Sequence, residues 1–299
     1  MKFPDIEGIP FNFMGIPKEL SDAAAAKAAV LPAPYDHTTS FGGGSREGPT
    51  AIILASMQVE WYDEELGIEP CRAGICTLPF LEPDVSGPEA MICKVENAVE
   101  AVIKAGKFPI LLGGEHSISL GPVRSLATHY RNLSVLVFDA HADLRNSYQN
   151  SPYSHACFSR RAQEICPVVQ AGIRSLSQQE AKDLPQLNVR SFFAREIHSG
   201  LDMKNELLKL LKDQVYISVD LDVFDPSVLP AVGTPEPGGL SWHQALEIME
   251  FVFKNRDVVG FDIMELAPLP GMRGPDFIAA KLAYRMIGYK FADQLKQTS

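Results

Sequence analysis

Short apolar runs alternate with glycine-rich or polar loops and with longer amphipathic segments along most of the chain. The apolar runs fall near residues 28–31, 73–78, 108–112, 134–138, 166–171, 189–193, 215–219 and 258–263. Several are continuous rather than alternating, as in Phe108-Pro109-Ile110-Leu111-Leu112 and Ser134-Val135-Leu136-Val137-Phe138. Continuous runs suit strands covered on both faces, because neither side meets water. Helical spacing follows in 87–106, 117–130, 177–183, 202–212 and 241–254. In the first of these, Ile92, Val95, Val99 and Val102 recur three or four apart and define one buried stripe. The alternation predicts an α/β layer fold with a mainly parallel sheet. No long linker interrupts it, so one domain is expected over residues 27–299, after an N-terminal arm over residues 1–26 that shows no strong period. In such a sheet, functional groups belong in loops leaving the carboxyl ends of the strands.

Composition narrows the function classes. The 299 residues are 46% hydrophobic and 21% charged, as in folded soluble proteins. With 27 basic and 37 acidic side chains the net charge is −10, and no Lys/Arg cluster offers a nucleic-acid surface, so no nucleic-acid partner is expected. The N-terminus lacks a signal-peptide progression and no run reaches 18 uncharged apolar residues, so no membrane association is expected. Cysteines at 71, 76, 93, 157 and 166 are odd in number and irregular in spacing, which fits a reducing compartment and a cytoplasmic location.

Three strand ends carry the chemistry. Asp139, His141 and Asp143 follow the apolar run ending at Phe138. If the backbone stays extended, alternate side chains point the same way and three O/N donors converge. Asp220 and Asp222 end the run Val215–Val219 in the same manner, and side by side they repel unless a cation favours both anions. Gly113-Gly114-Glu115-His116-Ser117 follows Ile110-Leu111-Leu112 and brings an imidazole to the start of a helix. Each motif alone also fits an ordinary turn, where Asp caps backbone amides and His makes a hydrogen bond. Together, His116, Asp139, His141, Asp143, Asp220 and Asp222 are too many ligands for one open tetrahedral zinc site, and they favour two divalent ions. The oxygen-rich set with imidazole prefers manganese, two Mn2+ per subunit. Gly42-Gly43-Gly44 lacks the Walker lysine and serves as a turn or active-site rim, and Cys157 has no adjacent base to activate it.

These three motifs, in this order, resemble the signature motifs of the ureohydrolases, the family of arginases and agmatinases that cleave guanidino groups to urea. The similarity runs from about residue 28 to 293 and includes Gly44-Ser45-Arg46-Glu47-Gly48-Pro49 and Gly233-Thr234-Pro235-Glu236-Pro237-Gly238-Gly239. It implies an arginase-like three-layer αβα domain with an eight-stranded sheet. It also implies a homotrimer or homohexamer acting on a small guanidino substrate. By resemblance, Asp139 and Asp220 bridge the two metals, His116 and Asp143 complete one sphere, and His141 and Asp222 complete the other. Asp143 then serves catalysis as well, His155 falls on the proton-shuttle position, and Glu265 falls on the position that grips the guanidinium. The loop from Leu144 to His155 lacks the full arginase set for an α-amino acid and looks like agmatinase sequences, as does Leu31-Pro32-Ala33-Pro34-Tyr35-Asp36. Hydrolysis of agmatine to putrescine and urea is therefore expected. A guanidinobutyrase, or another ureohydrolase including arginase, is the enzymatic alternative, because a free Arg145 in the mouth would suit a carboxylate; pairing with Glu47, Asp225 or another acid would remove that concern. A dinuclear phosphoesterase fits less well, since Glu265 suits a cation. A metal-stabilised structural or interaction protein is the non-enzymatic alternative.

Overall fold

A computed structural model of the chain describes residues 8–297. Eight strands form one sheet: β1 (Ala28–Ala33), β2 (Ile75–Thr77), β3 (Phe108–Gly113), β4 (Leu133–Phe138), β5 (Val168–Ile173), β6 (Val189–Phe193), β7 (Gln214–Asp220) and β8 (Asp257–Met264). Their spatial order is β2-β1-β3-β8-β7-β4-β5-β6, and every pairing is parallel. All eight coincide with the apolar runs. The helices are α1 (Lys18–Ser21), α2 (Gly48–Ser56), α3 (Pro88–Lys104), α4 (Leu120–His129), α5 (Phe158–Ala162), α6 (Gln178–Asp183), α7 (Ala194–His198), α8 (Lys204–Leu210), α9 (Trp242–Asn255) and α10 (Gly274–Gln297).

The sheet is the middle of three layers. Leu133, Val135 and Val137 of β4 pack with Ile92 of α3, Leu120 and Val123 of α4 and Phe158 of α5 on one face. Leu136 and Phe138 point the other way, into the larger core formed with α2, α8, α9 and α10. Period-two alternation thus survives, but both sets are apolar because both faces are covered. Helix α3 has Pro88 at its first turn and buries Met91, Ile92, Val95, Val99 and Val102, the stripe seen in the sequence. Full burial of each such side chain contributes roughly 1.5–3 kcal/mol before entropy is counted. Gly121 lets α4 approach α3 closely, since a Cβ there would lie 2.9 Å from Glu96 N and Ile92 O.

Five helices had no counterpart in the periodic pattern: the short α1, α5 and α7, and the longer α2 and α10. Helix α2 buries Ala51, Ile52 and Ile53 in succession, and α10 buries an almost unbroken stretch from Ala279 to Gly288 apart from Lys281. A helix enclosed on most sides shows no polar face for periodicity to detect. The expected N-terminal arm begins outside the described residues. Within its described part, Phe13, Met14 and Ile16 are buried in the same core as β1 and α2. Among the described residues no helix is long and apolar enough to cross a membrane, and the cysteines are free thiols.

Candidate metal centre and guanidino site

The candidate ligands leave the carboxyl ends of three strands, and Glu265 leaves a fourth. In the sheet these strands, β3, β8, β7 and β4, are consecutive neighbours at its centre. Such a row of carboxyl ends is where an open α/β sheet binds its ligand. The donors converge by turns, not by continued pleating. Strand β4 stops at Phe138, and Asp139 Oδ1 then accepts the His141 N–H at 2.6 Å, which folds the chain back on itself. Asp143 adopts a left-handed backbone with φ +51°. After β7 a 3-10 turn, Leu221–Val223, does the same work, with Asp220 Oδ1 accepting the Asp222 N–H at 2.9 Å. The three residues from Asp139 are therefore not extended as expected: the Asx turn at Asp139 and the left-handed backbone at Asp143 bring them together.

All six predicted ligands meet in one cluster. His116 Nδ1 lies 3.1 Å from Asp139 Oδ2 and 3.4 Å from both Asp143 Oδ2 and Asp220 Oδ2. His141 Nδ1 lies 2.8 Å from Asp222 Oδ2 and 3.7 Å from Asp139 Oδ1. Two donor triads result, His116/Asp139/Asp220 and Asp139/His141/Asp222, and Asp139 belongs to both. Glu265, at φ +65°, accepts the His116 N–H through Oε1 at 2.7 Å. Left-handed backbone is costly for residues with a Cβ, and its presence at both Asp143 and Glu265 marks geometry held by the surrounding structure.

The environment fits a pair of cations. Ser218 Oγ donates its single proton to Asp262 Oδ1 at 2.8 Å, so it accepts from His116 Nε2–H at 2.9 Å. In the neutral ring the other nitrogen, Nδ1, is then a lone pair facing three carboxylates. Both His116 Nδ1 and Asp139 Oδ2 are buried without a hydrogen-bond partner. Two buried electron-rich atoms facing one another need a positive charge between them. The same excess of negative field shifts the ionisable groups of the cluster. Burial pushes the Asp139 carboxyl up to about 8, helped by Asp143 and Asp222. Burial likewise raises Asp220, beside Asp222 and Asp139, and Glu265, beside Asp220 and Glu115. For the histidines burial acts downward, but carboxylates outweigh it and raise His116 well above its ordinary value and His141 to about 11. Burial also disfavours the Asp222 anion, yet His141, the Ala140 N–H and Arg174 hold it below the ordinary value. Divalent ions satisfy this demand in place of protons.

The cluster floors a cavity of about 140 Å3. His116, His141, Asp143, Asp220, Asp222 and Glu265 line it, as do Phe41-Gly42 and Gly233-Thr234, two segments joined by Gly42 N–H to Gly233 O at 3.2 Å. His155 stands at the wall, edge-on to Tyr148. Arg145 also lines the cavity, but its guanidinium stacks over Tyr148 and its Nε lies 3.9 Å from Glu180 Oε2. Asp225 instead accepts from Ser227, Gly238 and Gly239.

Several supporting residues escaped sequence reasoning. Asp262 accepts Tyr216 OH, Ser218 Oγ and Val219 N–H from within the sheet. A lone acid in the apolar run Gly260-Phe261-Asp262-Ile263 was the available signal. Arg174 donates to the carbonyls of Asp222 and Glu236, pinning two site loops together. Glu115, inside the glycine motif, accepts from Thr38 and Ser117.

A parallel αβα sheet whose central strand ends carry two overlapping donor triads defines a metal-dependent hydrolase of C–N bonds. The arginase family model matches residues 26–288. The chain is 38% identical over 303 residues to an N(1)-aminopropylagmatine ureohydrolase of Synechocystis, covering 96% of this chain and 99% of that one. It is 37% identical over 269 residues to an agmatinase of Pyrococcus horikoshii, covering 89% and 93%. The solved agmatine ureohydrolase of Thermoplasma volcanium superposes with a TM-score of 0.83 at 34% identity, over 91% of this chain and 92% of that one. The chain belongs to the arginase family, the ureohydrolases.

Proposed function

We propose that this ureohydrolase cleaves the guanidino end of an agmatine-type amine to urea, with N(1)-aminopropylagmatine as its preferred substrate and agmatine as the second. The observation that carries the chemistry is the sharing of Asp139 between two histidine-containing triads beside the buried carboxylate of Glu265. Support for the longer amine comes from the end-to-end match with the Synechocystis protein. The Pyrococcus and Thermoplasma proteins support agmatine. Arg145 no longer argues for a carboxylated substrate, because Glu180 and the Tyr148 ring already engage its charge.

Two divalent ions, manganese by the donor chemistry, would be held by His116 and Asp143 on one side and His141 and Asp222 on the other, with Asp139 and Asp220 shared. When bound, they supply a water that ionises near neutral pH and positive charge opposite the charge developed in the reaction. The chain does the rest. The Glu265 carboxylate receives paired guanidinium N–H donors and aligns the planar carbon with the centre. Asp143 takes the nucleophile's proton on a carboxylate oxygen and returns it to the departing nitrogen, which cannot leave as an anion. His155, at the cavity wall, exchanges protons with solvent.

The test is urea release from metal-free protein titrated with manganese, across N(1)-aminopropylagmatine, agmatine, arginine and guanidinobutyrate. The expected result is a kcat/KM at least about tenfold higher for aminopropylagmatine than for agmatine, a difference of about 1.4 kcal/mol. A kcat/KM for agmatine equal to or above that for aminopropylagmatine overturns the preference, and a preference for arginine or guanidinobutyrate overturns the assignment to this class of amine. Absence of manganese-dependent urea release from every compound overturns the reaction.

A further inference from the structure

Thr38, in the loop after β1, contacts His155 at the wall of the site, and its contacts fix the direction of a hydrogen-bond chain. Glu115 is wholly buried. Its carboxylate meets only donors here: Thr38 N–H to Oε2 at 2.5 Å, Thr38 Oγ1–H to Oε1 at 2.7 Å, and the Ser117 hydroxyl to Oε1. A threonine hydroxyl has one proton, and this one is spent on Glu115. Toward His155, Thr38 Oγ1 can therefore only accept. It receives the His155 backbone N–H at 2.9 Å and faces ring Nδ1 at 3.2 Å. A deprotonated Nδ1 would set two lone pairs against each other at that separation. Ser154 Oγ, 3.3 Å from Nδ1, carries a rotatable hydroxyl that accepts from an Nδ1–H or donates to a bare Nδ1, so it does not select between the tautomers and Thr38 decides. The opposite nitrogen, Nε2, has only Ser40 Oγ near it, at 3.5 Å.

From this arrangement we infer that Glu115 and Thr38 act as positioning residues that hold neutral His155 with its proton on Nδ1, leaving Nε2 as the proton acceptor at the cavity wall. The inference deepens the shuttle role proposed for His155 and rests on it for its catalytic consequence. The tautomer itself does not depend on that role. Backbone capture of His155 by the same hydroxyl fixes the ring's distance from the wall, so one side chain sets both its placement and its protonation pattern. A shuttle whose ring could exchange tautomers freely would present an N–H to an incoming proton for part of the time.

The tautomer is read by 15N-labelled histidine NMR on the manganese-free protein and on protein loaded with diamagnetic zinc, with His155 assigned by its absence from His155→Ala. The expected spectrum shows a protonated Nδ1 and an unprotonated Nε2 for the neutral ring. A neutral ring protonated mainly on Nε2 overturns the inference without need of any further variant. Thr38→Val should mix the two tautomers and lower kcat by about 10- to 100-fold with KM and metal content little changed, within the range of a proton-transfer contribution. Thr38→Ser should restore both the spectrum and the rate. A Thr38→Val protein with an unmixed Nδ1–H signal overturns the inference whatever its rate. Full activity in His155→Ala removes the shuttle role instead, while the tautomer result stands by itself.

Discussion

Ser218 offers a sharp test of how the protein prepares His116. Its hydroxyl sits between two buried groups, accepting from His116 Nε2 at 2.9 Å and donating to Asp262 Oδ1 at 2.8 Å. Ser218→Ala removes both contacts in a place that is closed to water. Asp262 tolerates the loss, because Tyr216 OH at 2.7 Å and Val219 N–H at 3.1 Å remain. His116 does not. A buried N–H without an acceptor costs about 1–3 kcal/mol. The ring relieves that cost by moving its proton to Nδ1, toward the carboxylates, and so gives up the lone pair a metal ion requires. Removal of such an outer hydrogen bond typically weakens metal binding about 10- to 100-fold. That range corresponds to roughly 1.4–2.7 kcal/mol, the same size as the local cost. Chelator competition for manganese measures the affinity directly, and thermal unfolding of the metal-free protein separates a loss of binding from a loss of fold. Equal manganese affinity in wild type and Ser218→Ala would refute the reasoning.

Other perturbations address separate parts of the molecule. Glu265→Gln should keep both metals, measured by elemental analysis, while kcat/KM falls about 10- to 150-fold, the equivalent of losing a charge-assisted contact worth about 1.5–3 kcal/mol. Metal loading should release protons: Asp139 titrates near 8 and His141 near 11 in the metal-free fold, so both hold protons at pH 7 that the ligand form must lose. Affinity should therefore rise with pH from 6 to 8, and calorimetry in buffers of different ionisation heat should count the released protons; pH-independent binding would contradict this. Arg285→Ala should destabilise the fold by about 3–5 kcal/mol in denaturant unfolding, because buried Asp63 loses its close guanidinium partner and keeps the Lys281 ammonium at 3.9 Å. Gly114→Ala should give a lower melting temperature and weaker metal retention, since its Cβ would lie 1.8 Å from Tyr35 O.

The strands were legible because parallel, doubly covered strands are written as continuous apolar runs, and the clustered His and Asp side chains because polar groups at the ends of such runs stand out. Helix α10 was not legible, for the reason that Ala279 through Ile287 is buried nearly all round and shows no amphipathic stripe. The turn geometry was also hidden: an extended strand would aim Asp139, His141 and Asp143 the same way by alternation alone, whereas the side chain of Asp139 bends its own backbone. Contacts across long sequence separations left least trace. Thr38 and Glu115 are 77 residues apart, and Ser218 and Asp262 are 44 apart. Nothing in either local sequence identifies its partner, although a solitary acid within β8 signals that some partner exists.

The strand order carries a consequence for biogenesis. Strands β7 and β8, translated last, occupy the middle of the sheet between β3 and β4. A nascent chain that has emerged only through β6 holds two half-sheets whose inner edges are bare and apolar, with no central pair to join them. The polypeptide must keep those edges from premature association until its final third arrives. A truncation before residue 214 therefore removes the keystone of the sheet as well as Asp220, Asp222 and Glu265. Folding and acquisition of the reactive centre are completed by the same late insertion.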